Sequence, residues 1–179
     1  MSELGFASAV TDAIRAERAA AHKFSPAAVD GANLEAYVAF LAQMYAIDAL
    51  LEEAAGAQSR NPIAGRFVVP ELHRAAAVES DLAWLAGAEW RDAVRITAAT
   101  EAYVDRLREV VFTWPGGFVA HYALRYLDTP SHHDRWAYLD SAPWSAAERV
   151  RIIDEVRRAI RLNAAVLEDL ADRQPERAA

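Results

Sequence analysis

An all-α multi-helix bundle is the fold class this sequence predicts, on three observations. Alanine is abundant along the whole chain, which favours helix. Apolar residues recur at spacings of three and four, the signature of one buried helical face. β-branched residues form no alternating run of the kind a half-buried strand requires. With 179 residues, one domain spanning 1–179 is expected, with a disordered tail over 173–179.

The elements follow in order. A first helix is expected from after Ser2 to about His22, ending before Ser25 and Pro26, because the residue before a proline avoids the α region. Asp30-Gly31-Ala32-Asn33 reads as a turn with Asn33 as N-cap. The second helix carries Tyr37, Leu41, Met44, Asp48 and Leu51 on one face, which points Asp48 inward. A third opens with Pro70 in its first turn and runs through Leu72, Ala76, Leu82 and Leu85 to Gly87 at C′. Thr97 caps a fourth through Tyr103, Leu107 and Val110. Pro115-Gly116-Gly117 then separates it from a fifth carrying Phe118, Tyr122, Arg125 and Tyr126, closed by Asp128-Thr129-Pro130. The last helix has a capping box, Ser145 with Glu148, and a stripe of Ile153, Val156, Ile160, Asn163, Leu167 and Leu170.

Composition narrows the function classes. Cysteine is absent, which excludes disulfides, thiolate ligands and cysteine catalysis. A net charge of -7 argues against a nucleic-acid partner. The stretch Ala36 to Ile47 is bounded by Glu35 and Asp48 and falls short of the roughly 20 apolar residues of a membrane span, so no membrane association is expected. The start lacks a basic segment followed by an apolar run, so a cytoplasmic location is expected.

Five histidines, His22, His73, His121, His132 and His133, are the metal-ligand candidates, and no spacing among them specifies a site. His73, near Glu71, is expected to face water, and His132 with His133 to form a surface pair in a loop. His121 is expected to be an exposed or hydrogen-bonded structural histidine. Asp128 and His132 are four apart and could begin a non-heme iron site on a continuous helix, but Pro130 lies between them. Asp48 and Glu52 make the better carboxylate pair, for which an arginine partner is expected. Asn163 interrupts the final apolar stripe and must meet a backbone group, a side chain, a water or a ligand; an inter-helix hydrogen bond is the expectation from the residues alone.

Pro70-Glu71-Leu72-His73-Arg74, continuing through Ala77 to Asp81-Leu82, resembles the heme oxygenase segment P-E-L-H-R-x-x-A-L-x-x-D-L. Phe118-Val119-Ala120-His121-Tyr122 through Arg125-Tyr126-Leu127 is similar to that family's distal helix, and Tyr45, Leu51, Glu52 and Glu53 to its second helix. Ala159 to Asn163 with Leu167 resembles A-F-x-x-N followed by a phenylalanine, whose asparagine and aromatic lie beside heme in the family. The resemblance implies a heme oxygenase-like bundle, with heme held between a proximal helix that supplies an axial histidine and a kinked distal helix. It also implies cleavage to biliverdin, carbon monoxide and iron at the expense of oxygen and electrons.

The pattern departs on both faces of the implied cleft. The family's axial histidine falls on Arg15 or Ala16, and His22 lies nearly two turns later. The distal motif R-Y-L-G-D-L-S-G-G becomes Arg125-Tyr126-Leu127-Asp128-Thr129-Pro130-Ser131-His132-His133, with every glycine lost. The resemblance therefore implies heme as cofactor, with Arg15, His22, Arg125, Asp128, Asn163 and Leu167 facing heme or a bilin-like molecule and His22 as the candidate iron ligand. An electron donor is implied only if cleavage operates. Two functions are expected: a divergent tetrapyrrole binder, or a catalytically silent scaffold that acts through a protein partner, its cleft filled by Tyr122, Trp136 and Trp144. A non-heme iron oxidase with ligands among His121, Asp128, Glu52 and Asp48 ranks third.

Overall fold

The computed structural model describes residues 5–20, 33–128 and 135–173. These form helices α1 (Phe6–Ala20), α2 (Leu34–Gln58), α3 (Ala75–Ala86), α4 (Trp90–Ala93), α5 (Ala98–Val110), α6 (Pro115–Tyr122), α7 (Tyr138–Ser141) and α8 (Ala146–Asp172). A π-helical turn, Ala123–Leu127, continues α6, and 3-10 turns lie at Ala64–Phe67 and Pro70–Leu72. No strand occurs among the described residues, so the all-α expectation holds. The expected tail is described only at Arg173, and positions 174–179 lie outside the described residues.

The caps read from sequence are present. Asn33 accepts from the Ala36 N–H, Thr97 from Thr100, and Ser145 and Glu148 complete a reciprocal capping box. Gly87 closes α3 at a φ of 88°, where a side chain would be strained.

Packing accounts for the departures. Pro70 opens a separate 3-10 turn, and α3 starts only at Ala75. Arg74, at the N-cap of α3, offers no side-chain acceptor; the Glu52 carboxylate of α2 instead accepts the N–H groups of Arg74 and Ala75 at 2.7 and 3.0 Å. Pro115-Gly116-Gly117 is the first turn of α6, not a separator. A Cβ on Gly117 would lie 2.6 Å from the Trp114 ring and 2.9 Å from Val110 Cβ, so both glycines buried against Trp114 let α6 sit close to α5. Gly117→Ala is accordingly expected to cost about 1–3 kcal/mol by overpacking, measurable as a lower urea midpoint with an unchanged slope.

α2 and α8 organise the core. α2 packs on α3, α5, α6 and α8, and α8 packs on α1, α5 and α6. By length and composition α2 could cross a membrane, contrary to the reading of its shorter apolar stretch. Its place in the bundle explains the apolarity: Ile47, Leu51, Ala54 and Ala55 are fully buried, and so is Gln43. The Gln43 amide donates to the carbonyls of Ala39 and Arg95 and accepts from the Thr97 N–H, a satisfied network that ties α2 to the start of α5.

Candidate functional site

The site grows from Asp48. Its carboxylate is wholly buried on α2 and takes two arginines, Nε of Arg125 on Oδ1 and Nε of Arg74 on Oδ2, at 2.5 and 2.8 Å. Arg125 is carried inward by the π turn and its side chain is only 14% exposed, whereas that of Arg74 is 46% exposed. The arginine partner expected for the carboxylates is thus a pair of arginines. Burial opposes the charge on Arg125, and the adjacent Asp48 outweighs it, so the guanidinium is held charged. The Arg125 Nη2 also lies 3.2 Å from Met44 Sδ, a weak acceptor.

Beside this cluster is a pocket of about 350 Å³. Phe40, Leu41, Met44, Val78 and Leu167 are its apolar lining; Asp48, Arg74, Arg125 and Asn163 are its polar lining. Asn163 lines this cavity, and its amide forms no inter-helix hydrogen bond of the kind expected from sequence among the described residues.

The structure brings Arg125, Asn163 and Leu167 together and leaves others apart. Arg15 is exposed and paired with Asp12 on its own helix, away from the pocket wall. His22, His132 and His133 lie outside the described residues. Asp128 ends the π turn and forms an ion pair with Arg18 of α1, a tie from the N-terminal helix to the distal one. Arg18 was not singled out in the sequence, because no pattern links it to a residue 110 positions away.

A second layer backs the site. Tyr126 donates to Glu52 at 2.9 Å, and burial raises its hydroxyl above the ordinary tyrosine range. His73 is half-buried and shares a 2.9 Å hydrogen bond with the Tyr122 hydroxyl, contrary to the expectation that it faces water. Burial pushes Tyr122 up to about 12, and its hydroxyl also accepts from the Val69 N–H. Tyr122, Trp136 and Trp144 are buried in the main core, and none of them lines the pocket beside Arg125.

The iron-ligand set does not assemble. His121 is bound to Glu155 and Tyr103, Asp48 to two arginines, Glu52 to backbone and Tyr126, and Asp128 to Arg18. No cluster of three or more histidine or carboxylate side chains suited to a metal ion occurs among the described residues.

The family model for heme oxygenase matches residues 15–132. Heme oxygenase 1 of Synechocystis sp. is 38% identical over 91 residues, 51% of this chain and 38% of the relative. Heme oxygenase 1 of Rattus norvegicus is 42% identical over 94 residues, 52% of this chain and 32% of the relative. The matched part thus spans about a third of each relative's length. In structure, the chain is similar to heme oxygenase-1 from Synechocystis in complex with heme, with a TM-score of 0.80, 24% identity and coverage of 93% and 92% of the two chains. With the bundle, the PELHR segment and the Arg125 helix in place, the chain belongs to the heme oxygenase family.

Proposed function

We propose that this chain binds heme or a bilin-like tetrapyrrole against the wall formed by Arg125, Asn163 and Leu167, and that binding outlasts efficient cleavage to biliverdin. The observation that carries the reading is the convergence of those three residues from the π turn and α8 on one half-apolar pocket. Apolar surface with a few aimed polar groups is what recognition of a flat amphipathic ring requires. Family membership and a neighbour of the same fold in complex with heme support it.

The residues fit the macrocycle better than its iron. Heme, when bound, supplies an iron at which oxygen can be activated. The described part of α1 offers no imidazole toward it, since Arg15 and Ala16 stand where the family ligand is expected and Arg15 points to solvent. His22 is the imidazole we assign to that role. On the distal side Asp128 places a carboxylate, paired with Arg18, where the family has bare glycine backbone. Arg125 and Asn163 orient the ring edge through N–H groups, and Leu167 excludes water from its face.

Hemin titration tests the reading: a saturable Soret shift is expected, with ligation changed in His22→Ala and affinity raised in Arg18→Ala, where the tie to Asp128 is cut. Absence of any Soret shift would overturn it and leave the silent scaffold acting through a protein partner. The tie between Arg18 and Asp128 is the observation that favours this second reading.

A further inference from the structure

We infer that the pocket between α2, α3, the π turn and α8 binds a monocarboxylate with an apolar chain, which competes with a tetrapyrrole for Arg125, Asn163 and Leu167, an assignment that rests on the reading of those residues as ligand-facing. The polar lining holds two guanidiniums and one carboxylate, a net charge of one positive unit. A monoanion matches that excess, and a second negative charge would find no further cation in the lining. Each guanidinium has five N–H donors. Arg74 uses its Nε on Asp48, while Arg125 uses its Nε on Asp48 and one Nη2 contact on the Met44 thioether. No other described acceptor meets either group by hydrogen bond, although Arg74 also lies over the Tyr126 ring.

Among the described residues the remaining N–H groups thus have no acceptor, and the planar fork they form matches a carboxylate in geometry. Asn163 adds an amide to the lining. Phe40, Leu41, Val78 and Leu167 add apolar lining that rewards an alkyl or aryl body and gives nothing to inorganic anions. At about 350 Å³ the pocket lies at the small end of the range for ligand sites, which suits a short-chain acid rather than a long-chain lipid.

The chain provides its own reporter. It has two methionines, Met1 and Met44, and Met44 lines the pocket against Arg125. Full-length protein labelled with carbon-13 at the methionine methyls is titrated with octanoate, with octanamide as the neutral isostere. Octanoate is expected to shift the Met44 resonance saturably and leave Met1 unmoved, while octanamide needs at least about tenfold higher concentration for the same shift, one missing charge-assisted pair. Arg74→Gln, at a half-exposed position, is expected to weaken octanoate about tenfold and octanamide by less. An unmoved Met44 signal, or equal response to acid and amide, overturns the assignment. Because none of these readouts involves hemin, failure here and failure of the Soret titration are independent results.

Discussion

Asp48→Ala is expected to lower the unfolding free energy by about 3–5 kcal/mol, because it strands a buried charge. Arg125 is poorly hydrated: its side chain is 14% exposed, on the π turn beside Met44. Arg74, at 46% exposure, can swing outward and recover its hydration. The cost is therefore assigned to one uncompensated guanidinium, and Tm should fall by about 6–20 °C for a chain of this size. Removing both charges separates pairing from mere packing. Asp48→Leu combined with Arg125→Met replaces a buried ion pair by apolar groups of comparable bulk, and such exchanges are often neutral or stabilising. The double variant is expected to unfold within about 1.5 kcal/mol of the parent in urea. A single-variant loss below about 1 kcal/mol would mean that Arg125 is hydrated and the cluster is a surface pair.

Asp48 also marks how far the sequence alone could go. Its place on the stripe with Leu41, Met44 and Leu51 made it an inward acid, and the need for an arginine followed from the cost of a buried charge. Which arginines answered could not be read. Arg74 and Arg125 lie 26 and 77 positions away, and periodicity reports the face a residue occupies but not its partner across the bundle. The same limit applies to Gln43, whose amide looks like an intrusion on an apolar helix until the Arg95 carbonyl and Thr97 N–H are brought to it. Caps were legible because Asn33, Thr97 and Ser145 act on backbone three residues away. Pro115-Gly116-Gly117 was misread because glycine propensity argues against helix, whereas contact with Trp114 and Val110 demands glycine there. Of the ligand-facing candidates, Arg125, Asn163 and Leu167 share a pocket. Arg15 does not join them, because α1 turns it to solvent and to Asp12.

Glu155→Gln is expected to cost about 3 kcal/mol at pH 7 and progressively less in acid, through a network on the far side of the bundle. Glu155 of α8 is buried and takes Nε and Nη2 of Arg106 on α5 at 2.9 and 2.5 Å. His121 of α6 is fully buried; its Nε2–H donates to the same carboxylate at 3.0 Å, and the Tyr103 hydroxyl donates to its Nδ1 at 3.4 Å. The Tyr103 contact needs the neutral ring, the Glu155 contact does not, and burial lowers His121 below its ordinary 6.5 in spite of the carboxylate. For Glu155, burial alone would raise the carboxyl, but the hydrogen bonds from Arg106 and His121 outweigh it and hold it down at about 2 from an ordinary 4.5. Both shifts are downward, so in both cases the unfolded chain takes up the proton first. Stability from His121 is complete above pH 6.5 and lost below it; stability from Glu155 is complete above about 4.5 and lost as pH falls toward 2. Thermal melts from pH 8 to pH 3 should show a plateau, a shallow decline below 6.5 and a steeper one below 4.5. The glutamine variant keeps the shallow limb and loses the steep one, so the two melting curves converge in acid. A gap in Tm that stayed constant down to pH 3 would place the effect of Glu155 in packing and not in its charge.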